Sequence, residues 1–210
     1  NTGMGLALVA AVKGYKCIFV LPAKMSEEKR AMLRAYGARV VITPMGVEPE
    51  DPMSHYSVAK KIATELKAKT NNCFYANQYH NLDNMQAHYQ VTGPELWSQT
   101  NGEIDYFVAG VGTGGTLSGV AKFLKEKNPN VKILCTDPVG SILYDLFYHG
   151  KVVDPPGSYK VEGVGEDMLP DNCKLKLYDD FIKVNDQEAF SITRQLVMDE
   201  GLCVGPSSAL

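Results

Sequence analysis

The 210-residue sequence lacks the cysteine pairs that mark disulfide frameworks and zinc sites. No CxxC is present, and the five cysteines are odd in number and far apart: Cys17, Cys73, Cys135, Cys173 and Cys203. The four histidines have no metal-ligand spacing to one another or to a cysteine. We therefore expect free thiols in a reducing, cytoplasmic environment, and no bound metal.

The sequence also lacks an excess of basic residues and any apolar run long enough to span a bilayer. The formal net charge is -3 at pH 7, with 45% apolar and 21% charged residues. That composition is typical of a globular chain that can bury a substantial core. We expect neither a nucleic acid nor a membrane as a partner.

Strand-like and helix-like segments alternate along the chain, which predicts an α/β fold with mostly parallel sheets. The apolar run that begins at Gly3 predicts a buried helix ended by Gly14. Two more helices are bounded by recognisable caps, at 26–37 and 185–201. Short apolar segments predict strands at 16–22, 39–44, 73–79, 105–111 and 132–138.

A glycine-rich turn, GVGTGGT at 110–116, connects one predicted strand to a helical segment. Backbone N–H groups at a helix start have no acceptor within the helix, so an anion placed there accepts several hydrogen bonds. Glycine permits close approach and unusual dihedral angles, and the two threonine hydroxyls add donors. The turn therefore predicts a phosphate site. The alternative is that its glycines only allow the helix to pack closely on the strand.

The familiar nucleotide-binding patterns do not fit this turn. The sequence has no GxxxxGK[ST], and a GxGxxG count from Gly112 meets Leu117 in the last position. The opening GMGLAL fails at the same position, and its following strand does not end in an acidic residue for a ribose. A dinucleotide is therefore disfavoured. The absence of GxSxG likewise argues against a serine hydrolase.

Three further polar stretches are candidates for a ligand site. Asn1-Thr2-Gly3 begins the first predicted helix, NQYHN at 77–81 ends a predicted strand, and GPSSA at 205–209 is a turn. Asn1-Thr2-Gly3 offers another helix start at which an anion can bind, and NQYHN suits a small polar ligand. Each has a structural alternative, because the same residue types cap helices and turn the chain.

Taken in order, these motifs resemble the fold type II pyridoxal-phosphate enzymes of the cysteine synthase and cystathionine β-synthase family. The resemblance covers essentially the whole chain and rests on NTGMGLALVAAVKG, NQYHN, GVGTGGTLSG, DPVGSIL, VEGVG and EGLCVGPSSA. It implies two three-layer α/β/α domains with mostly parallel sheets, similar to the tryptophan synthase β subunit. Residues 1–80 would form a smaller, mobile α/β domain, incomplete at its N-terminus. Residues 81–210 would form a larger cofactor-binding domain, incomplete at its C-terminus.

The resemblance also implies which residues bind the cofactor. Five residues would bind the 5′-phosphate of pyridoxal phosphate: Gly112, Thr113, Gly114, Gly115 and Thr116. Asn1 matches the asparagine that hydrogen-bonds the ring hydroxyl, and Ser207 matches the serine that faces the pyridine nitrogen. A serine hydroxyl is too weak an acid to protonate that nitrogen, which favours β-elimination and β-replacement over transamination.

A substrate site and a reaction are implied in the same way. Thr2 and Gln78 match residues that bind the substrate carboxylate, and Gly163 falls in a loop that borders the amino-acid site. KMSEEK, EDPMSH, DPVGSIL and YKVEGVGEDMLP are most similar to cystathionine β-synthase, whereas TGPELW and GPSSA are more similar to cysteine synthase. We favour a lyase that replaces the hydroxyl of serine with homocysteine to give cystathionine, a transsulfuration step. The alternatives are cysteine synthesis from O-acetylserine and sulfide, and a non-catalytic protein that binds a phosphate ligand.

In this family the lysine that forms the Schiff base with the cofactor lies upstream of an SGNTG motif, and the chain begins at the third residue of that motif. No lysine of the chain stands in a matching context, so we assign no catalytic residue. We expect the 210 residues by themselves to be inactive even if they bind the phosphate. Because the family is commonly dimeric, we also expect a homodimer that acts on small amino-acid substrates.

Overall fold

The computed structural model describes residues 1–23, 25–48 and 50–210. Within these ranges the chain separates into two compact units, Asn1–Ala76 and Asn77–Leu210. Every described strand runs parallel to its sheet neighbours, which confirms the predicted α/β fold with parallel sheets. No helix in the described part of the chain combines the length and the apolar character needed to cross a membrane.

The described residues of the first unit form a two-stranded parallel sheet with three helices. β1 and β2 pair in a register that places Ile18 opposite Arg39. In chain order its elements are α1 (Thr2–Lys13), β1 (Ile18–Pro22), α2 (Glu27–Ala35), β2 (Arg39–Thr43) and α3 (His55–Thr70). Gly14 ends α1 in the left-handed conformation and the Ser26 side chain caps α2, as the sequence predicts.

Helix α1 is much less buried than its apolar sequence predicts. In α1 only Ala7 and Ala10 are buried, whereas Leu8 and Val12 are 50% and 83% exposed. The prediction of a buried helix was wrong for this structure: Phe19 and Leu33 lie within 4 Å of a Cβ position at Gly3, but the described residues leave Leu8 and Val12 exposed.

The second unit is built on a three-stranded parallel sheet in the order β3, β4, β5. Its strands are β3 (Tyr106–Gly110), β4 (Lys132–Pro138) and β5 (Asp180–Val184). Its helices are α4 (Asp83–Ala87), α5 (Gly93–Gln99), α6 (Gly115–Lys127), α7 (Leu143–His149) and α8 (Asp186–Glu200). A π-helical turn at His88–Thr92 joins α4 to α5, and short 3-10 turns lie at Leu175–Leu177 and Pro206–Ser208.

The core of the second unit lies between α6 and the sheet. Four α6 residues at helical spacing are each at most 1% exposed: Leu117, Val120, Ala121 and Leu124. They pack with buried strand residues, among them Ile133 and Phe181. Because this packing holds α6 on the sheet, the N-terminus of α6 has a fixed position beside the carboxyl end of β3.

One strand assigned from the sequence was wrong, and one strand of the structure was not predicted. The predicted strand at 73–79 is not in a sheet, because Asn77 adopts a left-handed φ of 45° and its carbonyl oxygen closes a turn that ends the extended segment. Strand β5 was not predicted, because the charged residues Asp180 and Lys183 interrupt its apolar pattern.

Candidate cofactor and substrate site

The glycine-rich turn follows β3 and leads directly into α6. Gly114 caps the helix with a left-handed φ of 83°. The first main-chain bond of the helix is donated by Ser118 N to Gly114 O over 2.9 Å. Within the described residues, no acceptor is recorded for the N–H groups of residues 113–117. These donors are therefore available to an anion at the helix start.

The glycines of the turn also pack tightly against other segments. A Cβ atom at Gly114 would lie 2.5 Å from Cys173 Cα and 2.7 Å from Cys173 N. A Cβ atom at Gly112 would lie 2.7 Å from the carbonyl oxygen of Gly163. Because these neighbours are backbone atoms, no larger residue fits at either position without moving the chain. Close packing and anion binding, the two interpretations raised by the sequence, both require glycine at these positions.

Neighbouring side chains orient the two threonine hydroxyls of the turn. Asn84 Nδ2 donates to Thr113 Oγ1 over 3.0 Å, so the hydroxyl hydrogen of Thr113 is left for another acceptor. Thr116 Oγ1 lies 3.1 Å from His88 Nε2, and His88 Nδ1 lies 2.9 Å from Thr92 Oγ1. Burial lowers the pKa of His88, which favours the neutral ring. In the tautomer with its hydrogen on Nε2, the ring donates to Thr116 and leaves that hydroxyl free to donate to an anion, whereas in the other tautomer Thr116 donates to the ring.

Gln78 lies in the tight turn at 77–81, immediately before α4. Its carbonyl oxygen accepts hydrogen bonds from Asn84 Nδ2 and from Asn172 Nδ2, both over 3.0 Å. Since Asn84 also binds Thr113, one amide connects the turn that carries Gln78 with the glycine-rich turn. The structure thus brings together two site residues that the sequence predicts.

Gly163 lies in a loop that is bonded to the end of β3 and to the DPVGSIL segment. Gly163 itself has a left-handed φ of 84°. Gly165 N donates to Val111 O over 2.6 Å, which ties the loop to the second residue of the glycine-rich turn. On the other side, Ser141 Oγ accepts from Glu166 N over 3.1 Å. The VEGVG and DPVGSIL motifs therefore hold one loop beside the glycine-rich turn.

The remaining predicted residues are Asn1, Thr2 and Ser207. Asn1 and Thr2 belong to the first unit, where Asn1 O accepts from Gly5 N over 3.0 Å at the start of α1. Ser207 belongs to the second unit and is exposed in a 3-10 turn rather than at the start of an α-helix. The cofactor and substrate roles of these three residues, like those of the other predicted site residues, stay predictions.

The Cys173 thiol, which lies beside Gly114, is buried. Burial raises the pKa of Cys173 to about 12, so the thiol stays protonated at neutral pH. Among the residues for which the structure gives positions, no three histidine, cysteine or acidic side chains form a group that could hold a metal.

Sequence reasoning missed three residues that support the site: Asn84, His88 and Asn172. A signal existed for the first two, because positions four apart on a helix share a face and both follow the NQYHN motif closely. No local pattern points to Asn172, which is 94 residues away from Gln78 along the chain.

The complete chain, residues 1–210, matches the family model described as pyridoxal-phosphate dependent enzyme. Proteins named cystathionine beta-synthase are similar to it over 208 residues, or 99% of this chain. The identity is 46% for the protein of Apis mellifera and 44% for those of Dictyostelium discoideum and Mus musculus. The chain spans only 40%, 40% and 36% of the lengths of these three relatives, respectively.

Proposed function

Because the chain belongs to the family of pyridoxal-phosphate dependent enzymes, we propose that it binds pyridoxal 5′-phosphate at the start of α6. The observation that carries this proposal is the donor set at 112–116, where main-chain N–H groups with no acceptor among the described residues lie beside the hydroxyls of Thr113 and Thr116. A phosphate group fits this set because its oxygens accept hydrogen bonds and its negative charge is favoured at a helix N-terminus. Gly112, Thr113, Gly114, Gly115 and Thr116 would hold the phosphate.

The family resemblance supports roles for five further residues towards the rest of the cofactor and the substrate. Asn1 would hydrogen-bond the ring hydroxyl, and Ser207 would face the pyridine nitrogen. Thr2 and Gln78 would bind the amino-acid carboxylate, and Gly163 would border its side chain. Two features support the carboxylate assignments. Thr2 is the first residue of α1, where a negative charge is favoured, and the turn of Gln78 is held by two side-chain amides.

The proposed reaction is β-replacement on serine by homocysteine, and the names of the relatives support it. The serine hydroxyl leaves as water, and the homocysteine sulfur bonds to the β-carbon to give cystathionine. When bound, the cofactor supplies an electron sink for the bond changes at the amino acid. Thr2 and Gln78 would orient the amino acid by its carboxylate. Ser207 would keep its proton, because an alcohol is too weak an acid to give it to a pyridine nitrogen.

Spectra and turnover of the complete gene product test this proposal. We expect it to bind pyridoxal phosphate, with the visible absorbance of the bound group, and to form cystathionine from serine and homocysteine. Faster turnover of O-acetylserine with sulfide would favour cysteine synthesis instead. Cofactor uptake without turnover of either pair would favour a non-catalytic binding protein. Failure to take up the cofactor would contradict the proposal altogether.

Substitutions in the glycine-rich turn test the cofactor site itself. Thr113→Val and Thr116→Val each remove one hydroxyl donor, and we expect the Kd for pyridoxal phosphate to rise about tenfold or more, since hydrogen bonds to charged groups are strong. Thr193→Val is the matched control, because Thr193 Oγ1 donates to Ala189 O within α8 over 2.7 Å. An equal change in all three variants would argue against binding at the turn.

Three further parts of the proposal concern the whole protein: a cytoplasmic location, a homodimer, and a smaller mobile domain formed by residues 1–80. The first rests on the odd number and wide spacing of the five cysteines, which predict free thiols. Light scattering over a range of concentrations would check the dimer. Small-angle scattering with and without serine would check the domain motion.

A further inference from the structure

Asn172 is a completely buried amide that belongs to none of the motifs on which the family resemblance rests. Its side chain is 0% exposed, and among the described residues it binds main-chain groups of the segment 78–85. Nδ2 donates over 3.0, 3.0 and 3.1 Å to the carbonyl oxygens of Gln78, Tyr79 and Asn81. Oδ1 accepts from Met85 N over 3.2 Å.

These bonds use both hydrogens of the Asn172 amide and place one donor on its oxygen. An NH₂ group has two hydrogens, so three carbonyl acceptors must share them. A carboxylate at this position would turn an oxygen towards three carbonyl oxygens, and an apolar side chain would leave all three without this donor. The turn at 77–81 therefore depends on a side-chain amide at position 172.

Asn172 is also tied to the glycine-rich turn through its chain neighbour. The backbone of Cys173 fills the space beside Gly114, in a bend closed by a bond from Cys173 N to Pro170 O over 3.0 Å. Asn84 forms a second connection, because its Nδ2 donates both to Gln78 O and to Thr113 Oγ1. The bend at 170–174 consequently contacts the turn of Gln78 on one side and the glycine-rich turn on the other.

We propose that Asn172 is a positioning residue that holds Gln78 in place relative to the glycine-rich turn and thereby sets the affinity for the amino-acid carboxylate. This inference rests on the proposed function of Gln78 as a carboxylate ligand. Asn172 acts through the main chain of 78–81 and does not touch the substrate itself.

Asn172→Asp tests the inference in the cofactor-loaded complete gene product. We expect the Kd for L-serine, measured by calorimetry, to rise about tenfold or more, because several hydrogen bonds of the turn are lost. The kcat at saturating serine and the Kd for pyridoxal phosphate should change much less. The matched control is Asp145→Asn, because Asp145 is also buried and also holds a loop by its main chain, accepting from Val153 N and Asp154 N. Destabilisation alone would lower the active fraction of both variants without raising the Kd for serine.

A second variant and a second measurement separate this inference from the proposed function. Asn172→Ala removes the amide without adding a negative charge, so it replaces Asn172→Asp in the test if that variant does not fold. In either variant the N–H groups of 78–81 should exchange with solvent at least about tenfold faster than in Asp145→Asn. If the wild-type protein takes up no cofactor, the proposed function is wrong. The exchange rates then still test whether Asn172 holds the turn at 77–81. Exchange rates equal to the control, or an unchanged Kd for serine in a folded, loaded variant, would overturn the inference.

Discussion

Gly114→Ala should be among the most damaging single-methyl substitutions in the second unit. Two separate costs apply to it. The left-handed φ of 83° costs an alanine about 1–2 kcal/mol. The new Cβ atom would also lie 2.5 Å from Cys173 Cα, and moving backbone to relieve such overpacking costs about 1–3 kcal/mol. Together these predict a loss of about 2–5 kcal/mol in the free energy of unfolding.

Gly150→Ala separates the two costs, because Gly150 shares only the first. It ends α7 with a left-handed φ of 67°, and a Cβ atom there would have nothing within 4 Å. We expect it to lose about 1–2 kcal/mol, from backbone conformation alone. The difference between the two variants therefore measures the contact between Gly114 and Cys173.

Urea unfolding of the complete gene product, followed by circular dichroism, is the assay. We expect the midpoint of Gly114→Ala to fall well below that of Gly150→Ala, with similar slopes. If the two variants lose the same stability, the close packing of the glycine-rich turn on Cys173 is wrong. The account of why glycine is needed at position 114 would then fail with it.

Three smaller predictions concern other contacts of the second unit. Asn185→Ala removes the side chain that accepts from Glu188 N over 3.0 Å, and should lower the free energy of unfolding by about 1 kcal/mol in the same urea assay. Tyr178→Phe removes a buried hydroxyl that lies 2.6 Å from Ser118 Oγ, and should cost about 1–3 kcal/mol; no measurable loss would mean that water replaces the bond. The main-chain N–H groups of 153 and 154 lower the pKa of Asp145 to about 2, from an ordinary value of 3.8. The stabilisation by this carboxylate is therefore present above about pH 4 and is lost as the pH falls towards 2. The difference in the free energy of unfolding between Asp145→Asn and the wild type should be largest at neutral pH and smallest near pH 2.

Elements with a short-range signal were predictable from the sequence. The α8 capping box needs only Asn185 and Glu188, three residues apart, and Gly14 ends α1 through its own backbone freedom. Burial of α1 could not be predicted in the same way, because it depends on which elements cover the helix. Strand β5 was missed for a related reason. A half-exposed parallel strand gains its stability from pairing with its neighbour, here β4, rather than from its own apolar residues.

The sequence by itself determined the chemistry available at the glycine-rich turn: main-chain donors, two hydroxyls and the family resemblance all follow from the order of residues. Only the tertiary structure decided what holds that chemistry in place. Asn172 meets Gln78 across 94 residues of chain, and Asn84 meets Thr113 across 29. A side-chain amide forms such bonds only with groups that the fold brings within about 3 Å, and sequence spacing carries no record of that distance.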